Sequence, residues 1–460
     1  MGLDRASLSP RLLKKVVYAG SNATSCKQAR VFLKELAGYD CKERFILRTC
    51  HRIGHERLEQ RAQQVASYKD LTLAQHDLAP CTAPDLIAIM ADGGTMQMRP
   101  NGEEAALDAD TAATAANEAT TATEAVAASP DDPEGEEEVE KKERCWRGNK
   151  VGILVHLAPT NHKTDPCPEL PEVFRDPLVV LKLAREVGHA DLPAGAGKFQ
   201  GAQTAEAGEP DVEEVADATD EATPSLAEAT AADQKSRRRP GAPQVLDRRV
   251  LATRQKAASF GPMLAALAWS MGFLAAKRGA FVGDGAAWLW RIQQRFFPRL
   301  TPVVDFIHVL SYVFVAALAG RAKLEEGWPV YQEWITWVWK GEIERLLTAL
   351  RHRLQELTAG SAARAAVEKS LGFLEGQQER LHYARYRQEG LPIMSSLIES
   401  TVKQIGRRVK GSEKFWTEAG GEALLQLRAD YLSDDQPMAH FWAERAQRMT
   451  GQNPYRRKAG

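Results

Sequence analysis

Apolar residues in the first part of the chain recur at helical spacing and are interleaved with basic ones. Thr24 or Ser25 can cap a helix, Gly38 can end it, and a second helix can follow. The apolar positions of the two helices are Ala29, Phe32, Leu33 and Leu36, then Phe45, Ile46, Ile53 and Leu58. A basic helix pair around a glycine turn suits a helix-turn-helix DNA reader, although proteins that never bind DNA also contain such pairs.

Apolar runs bounded by turn residues predict the strands. Residues 84–99 predict a strand, a tight turn at Asp92-Gly93-Gly94 and a second short strand. The runs KVGILVHLAP, AFVGDGAAW and LTPVVDFIH predict three more, and the second of these ends at Asp284. Between the strands, the pattern predicts a helix around LVVLKLAREVG, a long helix from Arg248 to Lys277 and the helix WLWRIQQRFF.

The remaining pattern is helical. It covers residues 311–390 and continues through IMSSLIESTVKQIGRRVKGSEKFW and EAGGEALLQLRADYL. The whole order indicates an α/β fold, namely a ribonuclease-H-like catalytic domain with a large all-helical insertion, a helical N-terminal domain and two acidic disordered inserts. The predicted units are a DNA-binding region (1–80), three parts of the catalytic domain (84–100 with 144–198, 245–310 and 391–432), the acidic inserts (101–143 and 199–244), the helical insertion (311–390) and a basic C-terminal tail (433–460).

Charge is distributed unevenly, although the net charge is only −1. Residues 103–140 carry 13 acidic and no basic side chains, and residues 205–233 carry 10 acidic and no basic ones. Both segments are too poor in large apolar residues to form a core. The rest of the chain therefore keeps all 60 basic residues but only 38 of the 61 acidic ones. A body this basic indicates a polyanionic partner, of which nucleic acid is the commonest.

Cysteine use and hydropathy predict where the protein works. The six cysteines follow no pairing rhythm, which is typical of reduced thiols, and their spacing with His51 and His55 matches no standard zinc finger. The longest apolar stretch, Met263 to Ala276, is too short to span a bilayer. We therefore expect a cytoplasmic, nucleoid-associated protein with no membrane partner.

Three acids occupy places that such a fold would bring together. Asp92 and Asp284 end predicted strands, and Glu399 lies near the start of a late helix. Carboxylates arranged in this way can share two Mg²⁺ (or Mn²⁺) ions for phosphodiester chemistry, which requires hard oxygen ligands. Each acid also has a purely structural interpretation: a hairpin turn at Asp92-Gly93, a helix cap at Asp284, and a capping box formed by Ser396 and Glu399.

A histidine and a fourth acid accompany the three. Asp305 and His308 lie three residues apart where a predicted strand meets a helix. They can form a supporting pair that orients Asp284 or a bound water, or they can be a helix cap beside a structural histidine.

The segment after Glu399 is the strongest candidate for DNA contact. Lys403 and Arg407 follow Glu399 by four and eight residues, so all three share one face of a helix. Four further residues extend this predicted DNA-binding surface: Arg408, Lys410, Lys414 and Trp416. Basic side chains position backbone phosphates and an aromatic ring can stack on an unpaired base, although a basic face can also serve only to keep a helix hydrated.

Four sequence blocks, in this order, resemble the Mutator-like transposases of bacterial insertion sequences, specifically the ISKra type. The blocks are IMADGGTMQMR, FVGDGAAWLW, VVDFIHVLSY and LPIMSSLIESTVKQIGRRVKGSEKFW. The resemblance implies that Asp92, Asp284 and Glu399 form a DDE triad dependent on Mg²⁺. It also implies recognition of terminal inverted repeats in double-stranded DNA, transfer to target DNA, and assembly as a homo-oligomer on two DNA ends. The two acidic inserts depart from the compact family pattern.

Two other functions remain open. A decayed or domesticated copy would bind DNA ends without cutting them, and a ribonuclease-H-like structure-specific nuclease would cut without strand transfer. The intact acids favour an active transposase over the first alternative. The basic N-terminal helices and the large insertion favour it over the second.

Overall fold

The computed structural model describes residues 8–76, 80–99, 146–187, 243–411 and 414–448. Nearly all of both predicted acidic inserts, and the end of the chain from residue 449, lie outside these residues. None of the helices in the described ranges combines the length and the apolar character needed to cross a membrane.

A six-stranded mixed sheet forms the centre of the fold. Its strands are β1 (Leu86–Met98), β2 (Trp146–Leu157), β3 (Val245–Thr253), β4 (Arg278–Gly283), β5 (Thr301–Val304) and β6 (Phe415–Trp416). The strand order is β3-β2-β1-β4-β5, and β6 pairs with the far end of β1. β2 is antiparallel to β1 and β3, whereas β4 and β5 continue the sheet parallel to β1. The predicted mixed α/β fold is confirmed.

β1 is a single strand, so the turn predicted at Asp92-Gly93-Gly94 is wrong. β1 pairs with β2 without interruption from Leu86 to Gln97. Gly94 serves close packing here, since a Cβ atom on it would lie only 2.5 Å from Oδ1 of Asn149 on β2. Asp92 therefore lies inside a strand.

The prediction of a long helix that begins at Arg248 is also wrong for the first part of that range. Residues 245–253 form the edge strand β3, and the helix runs only from Ala257 to Ser270. Arg248 and Arg249 form ion pairs with Asp434 and Asp435, at 3.6 and 2.7 Å. These tertiary partners, together with the β2 ladder, hold the segment extended against its helical-looking apolar spacing.

The helices that surround the sheet begin and end as follows. They are α1 (Pro10–Asn22), α2 (Cys26–Ala37), α3 (Glu43–Lys69), α4 (Leu73–His76), α5 (Pro177–Glu186), α6 (Ala257–Ser270), α7 (Ala287–Phe296), α8 (Phe306–Leu318), α9 (Leu324–Lys340), α10 (Ile343–Glu356), α11 (Ala362–Gln377), α12 (Tyr383–Gln388), α13 (Ser396–Val409), α14 (Glu418–Leu432) and α15 (Pro437–Arg448). Short 3₁₀ turns lie at Glu172–Phe174, Phe273–Ala275 and Gln378–Arg380.

Helices α8 to α12 fill the region between β5 and α13, as the predicted helical character of residues 311–390 requires. Buried aromatic rings join this region to the sheet. Phe306 packs edge-on against Trp339 and Tyr383, with ring centroids 5.0 and 5.2 Å apart, and the Tyr383 hydroxyl donates to the Val304 carbonyl at the end of β5. Burial of such rings stabilises the junction strongly.

Helix α2 begins and ends at the residues whose capping the sequence predicts. Ser25 caps α2 by accepting a hydrogen bond from the Gln28 amide, and Gly38 ends that helix in the left-handed region, with φ of 61°. Only Ala29 and Leu33 of its four predicted apolar positions are buried, because the other face of α2 points outward with Phe32 43% and Leu36 81% exposed.

The predicted C-terminal tail is folded as far as residue 448. Met438, Phe441 and Trp442 of α15 are buried in one cluster with apolar residues of α1, α2 and α3. Arg57 of α3 forms a buried ion pair with Asp430 of α14, at 2.9 Å. The two ends of the chain therefore build one helical core beside the sheet.

Candidate active site

Asp92 and Asp284 lie at the same level of two neighbouring parallel strands. Met90 of β1 pairs with Val282 of β4, and each aspartate follows two residues later. Neighbouring strands are about 4.8 Å apart, so parallel register brings these two carboxylates close together.

An opening in the strand pairing along one edge of β1 lies beside Asp92. β4 pairs with β1 only as far as Met90, and β6 pairs with the same edge of β1 only from Gln97. Asp92 lies between the two pairings, and helix α13 packs against β1. Glu399, in the first turn of α13, is near enough for its charge to act on Asp92.

A completely buried carboxylate, that of Asp305, holds neighbouring residues of the site in place through hydrogen bonds. It caps α8 by accepting from the His308 amide at 3.2 Å, and the same oxygen lies 2.8 Å from Nδ1 of His308. The helix-cap interpretation is confirmed, and Asp305 also orients the imidazole, whereas an action of the pair on Asp284 or on a bound water stays a prediction. Its other oxygen accepts from the Ser395 amide at 2.8 Å.

Ser395 links Asp305 to the third acid. It is the buried N-cap residue of α13, and its hydroxyl donates to Oε1 of Glu399 at 3.0 Å. The predicted capping box needs Ser396 as the N-cap residue, whereas Ser395 holds that position and its backbone amide donates to Asp305. The capping-box interpretation of Ser396 and Glu399 therefore fails, and a serine that the sequence analysis missed orients Glu399.

The Asp284 loop is held by the helical region. One carboxylate oxygen of Asp284 accepts from the Ala286 amide at 2.8 Å, but the N-cap residue of α7 is Ala286, so the helix-cap interpretation of Asp284 is wrong. Gly285 has φ of 106°, and its carbonyl accepts from Nε2 of Gln377 on α11 at 3.1 Å. A Cβ at Gly285 would lie 2.6 Å from the Phe373 ring. Residues far along the chain thus fix this loop.

Shifts of pKa follow from this crowding of charge. Burial, and then the charges of Asp284 and Glu399, raise the pKa of Asp92 to about 6. Burial and the charge of Asp305 raise the pKa of Glu399. Burial lowers the pKa of His308, but the hydrogen bond and charge of Asp305, with the charges of Asp284 and Asp92, outweigh it and raise that pKa overall. The carboxylates therefore give the site a strongly negative electrostatic potential next to the imidazole of His308.

The three carboxylates are suitable ligands for a hard divalent cation, but their side chains are not arranged around a common position. Three carboxylates supply only oxygen ligands, which Mg²⁺ and Mn²⁺ prefer. A bound cation would also relieve the repulsion that raises the pKa of Asp92. Within the part of the chain that the structure describes, no group of three or more His, Cys, Asp or Glu side chains is arranged to hold a metal ion.

The predicted DNA-binding surface divides into exposed and buried residues. Arg407 and Lys410 are exposed, Lys403 is 64% exposed and pairs with Glu186 at 3.2 Å, and the Lys414 ammonium donates to the Arg407 carbonyl at 3.1 Å. Lys403 and Arg407 lie on the helix that carries Glu399, and Lys410 and Lys414 follow its end.

Arg408 and Trp416 are buried, so the prediction that they contact DNA is wrong. The Arg408 guanidinium donates to the Gly20 carbonyl at 2.9 Å and lies 5.1 Å from the centre of the Trp416 ring. The Trp416 indole donates to the Val409 carbonyl at 2.9 Å. Helical spacing turns Arg408 by about 100° from Arg407, toward the N-terminal helices and away from solvent.

Comparison with models of known protein families and with curated proteins finds no match to this chain. The site is therefore interpreted from its own residues.

Proposed function

We propose that the chain is a DDE transposase of a bacterial insertion sequence, which cleaves DNA strands at terminal inverted repeats and transfers them to target DNA. The observation that supports this proposal is that Asp92 and Asp284 follow paired positions of β1 and β4, and that the charges of Asp284 and Glu399 both act on Asp92. These three would hold Mg²⁺ or Mn²⁺, which when bound activates an attacking water or 3′-hydroxyl and stabilises the leaving oxygen.

The sheet supports a ribonuclease-H-like catalytic domain. Three antiparallel strands at one side, followed by two parallel strands, give the order β3-β2-β1-β4-β5 expected of that fold. One acid within the first strand, one directly after the fourth strand and one on α13 are consistent with the arrangement expected of that fold. We assign helices α9 to α12 as the insertion, because they separate β5 from the helix that carries Glu399.

The neighbouring residues have definable tasks in this proposal. Asp305 and Ser395 keep Glu399 turned toward the opening, through hydrogen bonds of 2.8 and 3.0 Å. His308 faces Asp92 and Asp284, where its positive charge offsets part of their repulsion. Arg407 and Lys410 are placed to hold the backbone phosphates of an incoming strand, and a homo-oligomer would hold two DNA ends together.

The test is strand cleavage and joining by the purified protein. It would be incubated with labelled duplexes carrying the inverted repeats of its own element, in Mg²⁺ or in EDTA. Nicked ends that join a target plasmid, in Mg²⁺ alone, would support transposition. Cleavage of branched DNA without joining would instead indicate a structure-specific nuclease.

A DNA-binding protein without cleavage is the second candidate. The observation that favours it is that no metal-ligating group of side chains is formed among the described residues. Repeat-specific binding that persists in Mg²⁺, with neither nicking nor joining, would select this alternative.

A further inference from the structure

A basic cleft lies at the opposite end of the sheet from the three acids. It is formed where the end of α3, the end of α7 and the start of β4 meet, and its volume is about 710 Å³. Arg278 begins β4 and Asp284 follows that strand, six residues later. At about 3.3 Å per residue, roughly 20 Å separates the cleft from the candidate active site.

The charge of this cleft is strongly positive. Its lining includes five lysines and arginines and no Asp or Glu among the described residues: Lys69, Lys277, Arg278, Arg295 and Arg299. Residues 77–79, which follow His76 of the lining, are not described. Asp85, which is not one of the lining residues, pairs with Lys277 at 2.6 Å. The five charges therefore greatly outnumber their acidic partners.

Two of these arginines bind neutral groups. The Arg278 guanidinium donates to the carbonyls of Glu389 and Thr160, at 2.8 and 3.0 Å. Arg299 donates to the Leu274 carbonyl at 3.4 Å. Carbonyl oxygens hold a guanidinium in place without cancelling its charge, so these residues keep their attraction for an anion.

Aromatic rings line the same cleft. Phe296 is partly exposed, and the Arg295 guanidinium lies 5.3 Å from its ring centre. The rings of Tyr68 and His76 stack with their centres 4.5 Å apart. Aromatic faces beside arginines and lysines are the combination that binds unpaired nucleotides, through base stacking and phosphate contacts.

We propose that this cleft binds a short single-stranded stretch of nucleic acid. Its volume is in the range of about 300–1,000 Å³ that encloses small ligands, which admits a nucleotide but not a duplex. Only an unpaired base can leave the strand and reach a ring inside the cleft. The inference extends the proposed function but rests on the cleft alone.

The experiment measures binding of the full chain to a labelled oligothymidylate and to a duplex, by fluorescence anisotropy in EDTA. The variant is Arg295→Ala with Arg299→Ala, both on exposed residues. Loss of two single-strand phosphate contacts should lower the slope of log affinity against log salt by about 1.4, or about 25-fold in affinity per decade of salt. Duplex affinity should stay near that of the parent.

A matched control removes the same charge elsewhere. Lys323→Ala with Lys369→Ala changes two exposed lysines of the helical region. An equal loss in this control would show an effect of net charge and overturn the proposal, as would an unchanged slope in the arginine variant. Because divalent cations are removed by EDTA and no cleavage is scored, a chain that binds but never cuts would refute the proposed function alone.

Separate variants test the stacking of an unpaired base on Phe296. Phe296→Leu should weaken oligothymidylate binding about fivefold or more without changing the salt slope, because stacking is not ionic, and Phe296→Tyr should restore it. Thymidine monophosphate should displace the oligonucleotide better than inorganic phosphate does. Equal displacement by phosphate, or full binding by Phe296→Leu, would overturn a nucleotide site.

Discussion

The carboxylate of Asp305 accepts a hydrogen bond from the backbone amide of Ser395, at 2.8 Å, across 90 residues of chain. Asp305 begins α8 and Ser395 begins α13, so this one contact joins the entry and the exit of the helical region. It places His308 and Glu399 on either side of a single buried carboxylate. Substitutions at the three acids, at Ser395 and at two arginines of α13 are therefore expected to have distinct effects on cleavage, stability and DNA binding.

Replacing any of the three acids by its amide should abolish cleavage and spare DNA binding. Asp92→Asn, Asp284→Asn and Glu399→Gln keep side-chain shape but weaken a cation ligand that supplies several kcal/mol, which corresponds to about a thousandfold in rate. Single-turnover cleavage and anisotropy binding would measure both effects, with the exposed Glu325→Gln as control. A variant that cuts at near-parental rate would remove its residue from the triad.

Ser395→Ala should reduce cleavage about 10- to 100-fold by releasing Glu399 from its orientation. The half-saturating Mg²⁺ concentration should rise as well, whereas a purely structural serine would change only the melting temperature. Ser395→Thr, which retains the hydroxyl, should recover most of the activity. Ser400→Ala on the exposed face of the same helix is the control, and equal losses in both would disprove a positioning role.

Asp92→Asn should stabilise the metal-free protein at pH 7.5 but much less at pH 4.5. The pKa of this carboxyl rises from 3.8 to about 6 on folding, so the folded state holds its proton more tightly. The resulting loss of stability grows as pH rises from about 4 and is complete above about 6, where it reaches up to about 3 kcal/mol. Urea unfolding in EDTA would measure it. A gain that is the same at both pH values would contradict the assigned shift.

Neighbouring arginines on α13 should behave oppositely. Arg408→Ala removes a buried guanidinium from the Gly20 carbonyl and should lower the free energy of unfolding by about 2–3 kcal/mol. Arg407→Ala should change stability by less than about 0.5 kcal/mol but lower the salt slope of duplex binding by about 0.9. Chemical unfolding and salt titrations of both variants would decide. If Arg407→Ala leaves the slope unchanged, the duplex runs elsewhere.

The sequence alone determined the mixed α/β character, the helical region, several helix ends and the candidate acids. These features are local, since turn chemistry, capping residues and apolar periodicity act within a few residues. Ser25 and Gly38, for example, begin and end α2 as their chemistry predicts. Likewise, Asp305 and His308 are near neighbours, so their pairing was accessible from spacing.

The remaining features were decided by the tertiary structure, because they depend on residues that are distant in the chain. Asp92-Gly93-Gly94 has the composition of a turn, yet pairing with β2 keeps it extended. Arg408 differs from Arg407 by one position, and only the packing of α13 on the N-terminal helices buries it. Ser395 acquires its role from a carboxylate 90 residues away. Local propensity is worth fractions of a kcal/mol per residue, and such long-range contacts override it.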